Sequence, residues 1–435
     1  MRRAVLLSFI LSLALSAGPA FAADFSGDME SVRKFIAMDT SYSPTERAAA
    51  EKAYAELKTK AGNMSPAAFQ LAVAHIAALA RNGHTMLLAG AWQHQFARTP
   101  LQYHAFADGL YVVNAPANIR DIIGARVTKI DGHDVREVMQ GFGRFYGGRE
   151  GKRDEWAPFF LESAAMLHEA GFAKSADRVD VEFKLSNNAP AGLTLEAKLD
   201  PPKGEIFDYL DHSRLVLYAG DNVTKPSTIP LYLSAPERAF LYAELRELDA
   251  HYVQWRLNKS FYDQKIDAFF DTVRARLKAT RRTNMIVDLR LDGGGDLNTT
   301  RDFLQELPTL VRGDGKIFIL TSGRTFSAGI ASAGFLKQAA PDRVVIVGEP
   351  IGDYLEFWAE GGFMELPVSK AYVLPSTERH NYVTGCPEPD CHSSIRKAPI
   401  RVTSLEPDIA APLTYADYKA GRDVALEAVR KALGK

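Results

Sequence analysis

Cysteine is scarce in this chain: there are only two, Cys386 and Cys391, so no more than one disulfide can form within it. Excess charge is also missing. The formal balance is −1, and without a basic surplus a nucleic-acid partner is not expected. Past the N-terminal segment, no apolar run approaches the roughly 20 residues needed to cross a bilayer, so stable membrane insertion is not expected either. The remaining composition is ordinary for a globular protein, with 46% hydrophobic and 24% charged residues. At 435 residues, two or three domains of about 100–200 residues fit the length.

The N-terminus reads Met1-Arg2-Arg3, then an apolar run from Ala4 to Ala17, then Gly18-Pro19-Ala20-Phe21-Ala22. A basic start, a short apolar stretch and an Ala-x-Ala site define a secretory signal peptide over residues 1–22 and predict a periplasmic or secreted protein. Cleavage removes Arg2 and Arg3, taking the formal charge from −1 to −3. No cysteine follows the site, so no lipid anchor is expected. In an exported chain, Cys386 and Cys391, five positions apart in a proline-stiffened loop, read first as a local disulfide. A metal site with His380 and His392 is the weaker alternative.

Residues 23–100 read as an N-terminal helical cap. Ser43-Pro44-Thr45-Glu46 is a capping box, Ser65-Pro66 opens a second helix, and Asn82-Gly83 stops it, leaving His84 just past a helix end. Residues 101–205 show short alternating runs with Gly and Asn-Asp punctuation, such as Ala125 to Val135, and read as an accessory β-rich region. Its strand order is reminiscent of a degenerate PDZ domain. Residues 206–435 alternate strands and helices, which predicts parallel βαβ units: strand 252–257, helix 260–278, strand 285–289, helix 299–311, strand 316–321, helix 327–340 and strand 343–347. In open α/β sheets, chemistry gathers in loops at the carboxyl ends of the strands.

Two such loops are unusual. Asp292-Gly293-Gly294-Gly295 lets the backbone turn sharply and present N–H groups, as an oxyanion hole needs, although a plain tight turn has the same composition. It lacks the Lys-Ser/Thr of a phosphate loop and the spacing of a dinucleotide fingerprint. Thr325-Phe326-Ser327-Ala328-Gly329 puts Ser327 at a helix N-terminus, either as a nucleophile or simply as an N-cap. No glycine stands two residues before it, so this is not an α/β-hydrolase elbow. His75, His94 and His104 are about ten residues apart, match no ligand pattern and read as ordinary histidines.

Five segments in order resemble the carboxyl-terminal processing (tail-specific) serine peptidases and their tricorn-core relatives. They are residues 286–295, 325–329, 347–350, 406–409 and 417–428, and the likeness runs from about Tyr252 to the end. The resemblance implies a crotonase- or Clp-protease-like α/β core. In it Ser327 attacks a peptide carbonyl, and the N–H groups of Ala328 and of Gly294 or Gly295 hold the oxyanion. Tail-specific members carry a lysine base after the "Gly-Glu-Pro" strand, where this chain has Asp353. The tricorn-like members instead take a histidine from a "Gly-His-Thr"-like segment, which Gly83-His84-Thr85 matches, and a neutral imidazole is a suitable base for a serine hydroxyl.

The glutamate that tricorn-like members place before the final "Pro-Asp-Ile" is absent, leaving Glu356, Glu360 and Glu378 as substitutes for the third catalytic group. The expectation is an exported serine endopeptidase acting on polypeptides, needing no metal or organic cofactor, with its oligomeric state open. A non-catalytic binding relative and an acyl-ester hydrolase are the alternatives.

Overall fold

The computed structural model describes residues 22–200 and 228–435; the signal segment up to residue 21 and the first part of the expected catalytic region lie outside these. The N-terminal helices form as their caps dictate. Ser43 and Glu46 make the reciprocal capping box that opens helix Pro44–Lys60, and the Ser65 hydroxyl accepts the Ala68 N–H at the start of Pro66–Ala78. An additional helix, Met29–Met38, precedes them.

The accessory region is a sheet with strand order Gln102–Phe106, Gly109–Asn114, Arg126–Ile130, Arg178–Lys184, Pro190–Glu196. It is less purely β than expected, because three helices, Val135–Phe142, Glu150–Leu161 and Ala164–Glu169, interrupt the strands. Asp134 caps the first of them by accepting the Arg136 N–H, so a run that alternates like a strand up to Val135 turns helical there. Strand Arg178–Lys184 keeps strict alternation, burying Val179, Val181 and Phe183 on one face.

The C-terminal region contains a six-stranded sheet. Its order is Ile409–Ala410, Val344–Gly348, Ile317–Thr321, Asn284–Asp288, Ala250–Trp255, Phe240–Leu245. Neighbours pair in parallel except for the last hairpin, which is antiparallel. Strands Asn284–Asp288 and Ile317–Thr321 are buried throughout, the pattern of parallel strands covered on both faces. Each apolar side chain enclosed there contributes about 1.5–3 kcal/mol. Helices Ile266–Ala279, Asn298–Leu310 and Ala328–Ala339 supply the crossovers. The first starts six residues later than the sequence pattern suggested, because Phe261 and Gln264 form a bridged turn ahead of it.

An arm from this region reaches back. Tyr372–Leu374 pairs with Met86–Leu87, and Leu366, Ala371 and Val373 join the core of the N-terminal helices. Among the described residues, no helix is long and apolar enough to cross a membrane.

Candidate active site

Ser327 stands at the N-cap of helix Ala328–Ala339, yet its side chain makes no cap hydrogen bond, which removes the simple capping role. Its backbone adopts φ 54°, ψ −122°, a conformation that non-glycine residues rarely hold and that costs about 1–3 kcal/mol. Such strain persists only where neighbours over-determine it. Here Phe326 N–H donates to the Asp292 carbonyl at 3.0 Å, and Thr325 Oγ1 donates to the Leu289 carbonyl at 2.8 Å, so the serine loop is lashed to the glycine loop.

His84 comes from the far end of the sequence and is delivered by a fixed turn. Asn82 makes hydrogen bonds in both directions with the backbone of Trp358, Nδ2 donating at 2.9 Å and Oδ1 accepting at 3.1 Å. Tyr146 Oη donates to the Gly83 carbonyl at 2.7 Å. Thr85 Oγ1 donates to the buried Asp39 carboxylate at 2.7 Å. Burial pushes the Asp39 carboxyl up, while Ser41, Thr85 and Ser376 donors pull it back.

The imidazole lies between two rings, Phe326 at 4.2 Å and Phe357 at 4.9 Å between centroids, both stacked nearly parallel to it. Phe326 immediately precedes Ser327, so the predicted base reaches the loop of the predicted nucleophile. Nδ1 lies 3.2 Å from Asp353 Oδ2, and Asp353 is fully buried, its Oδ1 accepting the Tyr354 N–H at 2.9 Å. That carboxylate draws the imidazole proton to Nδ1 and leaves Nε2 bare, the tautomer a general base needs. Nε2 is itself buried with no hydrogen-bond partner among the described residues.

The acid at His84 is therefore Asp353, in the position where a lysine was looked for, and not one of the three glutamates. Glu356 pairs with Arg379, Glu360 lies 3.4 Å from His380, and Glu378 sits opposite Ala359 in the same hairpin.

Of the expected oxyanion donors, the Gly294 N–H is already committed to Asp292 Oδ1 at 3.0 Å. The Gly294 carbonyl accepts the Asn258 N–H at 2.8 Å, and across a trans peptide this turns the Gly295 N–H the opposite way, out of the Asn258 side. Gly294 has φ +107°, and a Cβ there would lie 2.6 Å from the Ser327 Cβ and 3.2 Å from the Ala328 nitrogen, so only glycine permits this approach.

Helix Glu150–Leu161 of the accessory region closes on the same loops. Gly151 meets Gly323 with no space for a Cβ on Gly323, where one would lie 2.7 Å from the Gly151 carbonyl. Lys152 is buried, 4.4 Å from the Phe326 ring centroid and 2.6 Å from Glu155. Burial lowers its pKa, and Glu155 opposes this. A cavity of about 400 Å³ opens beside these contacts, lined by His104 and Phe106 of strand Gln102–Phe106, Arg149 and Asp154 of the helix segment, and Arg324 and Glu349 beyond the sheet. Burial pushes the Asp154 carboxyl up to about 6, with Glu150 adding to it.

Cys386 and Cys391 are joined in a disulfide, with Cα atoms 5.7 Å apart. His392 and His380 stack at 5.1 Å beside it, and His380 stacks on Phe357 at 4.8 Å. A file of five rings thus runs from Phe326 through His84, Phe357 and His380 to His392. The bond network around Asp292 and Asn258, and the acid at His84, were not assigned from sequence.

No family model and no curated protein matches this chain. Among solved structures, mature CPAF complexed with lactacystin aligns over 94% of this chain and 98% of its own at TM-score 0.57 and 13% identity. The CPAF S499A mutant aligns over 94% and 96% at TM-score 0.58 and 13% identity. A photosystem II D1 C-terminal processing protease aligns over 94% and 97% at TM-score 0.40 and 13% identity. At these identities the likeness to CPAF is one of fold.

Proposed function

We propose that this chain is an exported serine peptidase of the tail-specific type, in the tricorn-core-like manner, with a crotonase- or Clp-protease-like core and a PDZ-like accessory sheet. The observation that carries the reading is the state of His84: ring clamped on both faces, Nδ1 held by Asp353, and a bare, unpartnered Nε2 beside the strained Ser327 loop.

In this reading Nε2 takes the proton as Ser327 Oγ attacks a peptide carbonyl, and the tetrahedral oxyanion is held by the N–H groups of Gly295 and Ala328. The imidazolium then protonates the leaving amine, and an acyl-enzyme remains. Water enters, loses its proton to the same Nε2, and adds to the acyl carbon; collapse breaks the bond to Ser327 Oγ, which takes that proton back from Nε2 as the acid product leaves. Asp353 stabilises the imidazolium and fixes its orientation. The cavity between strand Gln102–Phe106, the last strand of its sheet, and helix Glu150–Leu161 lies beside the serine loop and suits an extended polypeptide.

A fluorophosphonate probe should label the wild-type protein and fail on Ser327→Ala. Labelling that survives the substitution would sink the assignment of the nucleophile, and absence of labelling in the wild type would favour a binding-only relative. Casein cleavage set against hydrolysis of acetyl esters separates a peptidase from an acyl-ester hydrolase. Lactacystin, bound in one CPAF structure, is a second probe of the same centre.

A further inference from the structure

We propose that Asp39 is a positioning residue for the general base, its side chain fixing at once the turn that carries His84 and the hairpin wall against which that ring is pressed. The inference rests on the serine-peptidase reading. Asp39 ends helix Met29–Met38, its N–H donating to the Phe35 carbonyl at 3.1 Å, and it is 0% exposed.

Four donors from three segments converge on its carboxyl group. Oδ1 accepts the Ser41 N–H at 2.8 Å and the hydroxyl of the same serine. Oδ2 accepts the Thr85 hydroxyl and the Ser376 N–H, both at 2.7 Å. The next residue completes the grip, because Thr40 N–H donates to the Ser376 carbonyl at 2.8 Å, so that both main-chain groups of Ser376 are held from one helix end. Among the described residues no cationic side chain forms an ion pair with the carboxyl; Arg47 donates instead to the main-chain carbonyls of Ile36 and Asp39.

Oδ2 is the atom that bears on the ring. On one side of it stands Thr85, the residue after His84. On the other stands Ser376, the first residue of strand Ser376–Asn381, whose hairpin partner Glu356–Glu360 supplies the Phe357 ring stacked on His84. Asn82 closes the circle, with Nδ2 3.1 Å from Thr85 Oγ1 and 3.0 Å from Ser376 Oγ while it also donates to the Trp358 carbonyl. One oxygen therefore sets the base against the wall behind it.

The donors explain why an acid stands here. The main-chain N–H groups of Ser41 and Ser376 cannot turn their protons away, and each meets a different oxygen of Asp39. Only a group with two acceptor atoms satisfies both. An amide at this position would set its NH2 against one of them, donor against donor, in a buried site where the unmade bond carries its full cost. The turn has other holds, Tyr146 on the Gly83 carbonyl and Asn82 on Trp358. Loss of the Asp39 bonds thus lets the imidazole drift relative to Asp353 and Ser327 without releasing the whole turn, and a misplacement of about an ångström costs ~100-fold in rate.

The test uses the full chain and two readouts. One is the rate of fluorophosphonate labelling. The other, independent of activity, is the proton resonance of the His84 Nδ1–H held by Asp353, assigned by its loss in His84→Gln. Asp39→Asn should slow labelling ~100-fold and shift or abolish that resonance. Thr85→Val removes only the hydroxyl on Oδ2 and should change both readouts in the same direction, whereas Thr85→Ser keeps the donor and should bring both back to wild type within about threefold. The double variant of Asp39→Asn with Thr85→Val should label no more than about threefold slower than Asp39→Asn, since residues acting through one bond are not additive.

An Asp39→Asn protein that labels like wild type, or that labels slowly with the resonance unchanged, overturns the positioning role, as do fully additive losses in the double variant. If Asp39→Asn does not fold, the two Thr85 variants decide by the same readouts. A wild type without the resonance overturns the held imidazole on which the proposal stands. If wild type shows the resonance but does not label, the peptidase reading falls, and the resonance in the Asp39 and Thr85 variants still decides whether this carboxyl group holds the ring.

Discussion

Asp353 shows how one side chain can change the chemistry assigned to a loop. Its carboxylate is fully buried, with one oxygen on its own loop and the other at His84 Nδ1, so it can do little else than fix that ring. Asp353→Asn is isosteric but can present its N–H to Nδ1, which would put the imidazole proton on Nε2, the wrong atom. We expect the acylation rate of a slow substrate to fall by ~10³–10⁴-fold with KM little changed; a loss under tenfold would show that the acid does not orient the base. Ser327 and His84 were legible in the sequence because each sits in a short motif. Asp353 was visible only as a missing lysine, since its partner lies 269 positions away and nothing local states that the two meet. The Asp292–Asn258 contact was not legible at all, because two ordinary polar residues reveal that they meet only once burial and distance are known.

At the level of elements, the hairpin of Glu356–Glu360 with Ser376–Asn381 is the wall against which His84 is pressed. It contributes Phe357 and, next in the file of rings, His380, which is 3% exposed. Burial holds the His380 pKa below the ordinary value despite the raising effect of Glu360. Between the unfolded value of about 6.5 and the lower folded value, the unfolded chain binds the extra proton, so this histidine removes stability as pH falls through that window. His380→Gln should lessen the loss measured in urea between pH 7 and pH 5; an unchanged slope would mean the ring takes up its proton as readily folded as unfolded. The parallel strands and their helices could be read from periodicity because each is long and buried on a regular pattern. The three accessory helices could not, since they are short, lie among glycine-punctuated strands, and one carries Pro158 inside it.

Across the whole molecule, the centre is assembled from segments far apart in the chain. The turn holding His84 continues into Met86–Leu87, whose strand partner is Tyr372–Leu374, and Leu88 N–H donates to the Tyr372 carbonyl at 2.9 Å. The segment carrying His84 is therefore joined to an arm that lies far along the chain, and we expect the centre to be completed when that arm folds back. During refolding from urea, fluorophosphonate reactivity should rise no sooner than hydrogen-exchange protection of the Leu88 amide; reactivity that precedes it would show the pair meeting by another route. A newly made chain would then pass through most of its synthesis unarmed. In the proposed reading the Ser327 hydroxyl is present early in the last third, but it would stay as inert as any other serine until the late arm completes its return, sparing the protein's own unfinished neighbours.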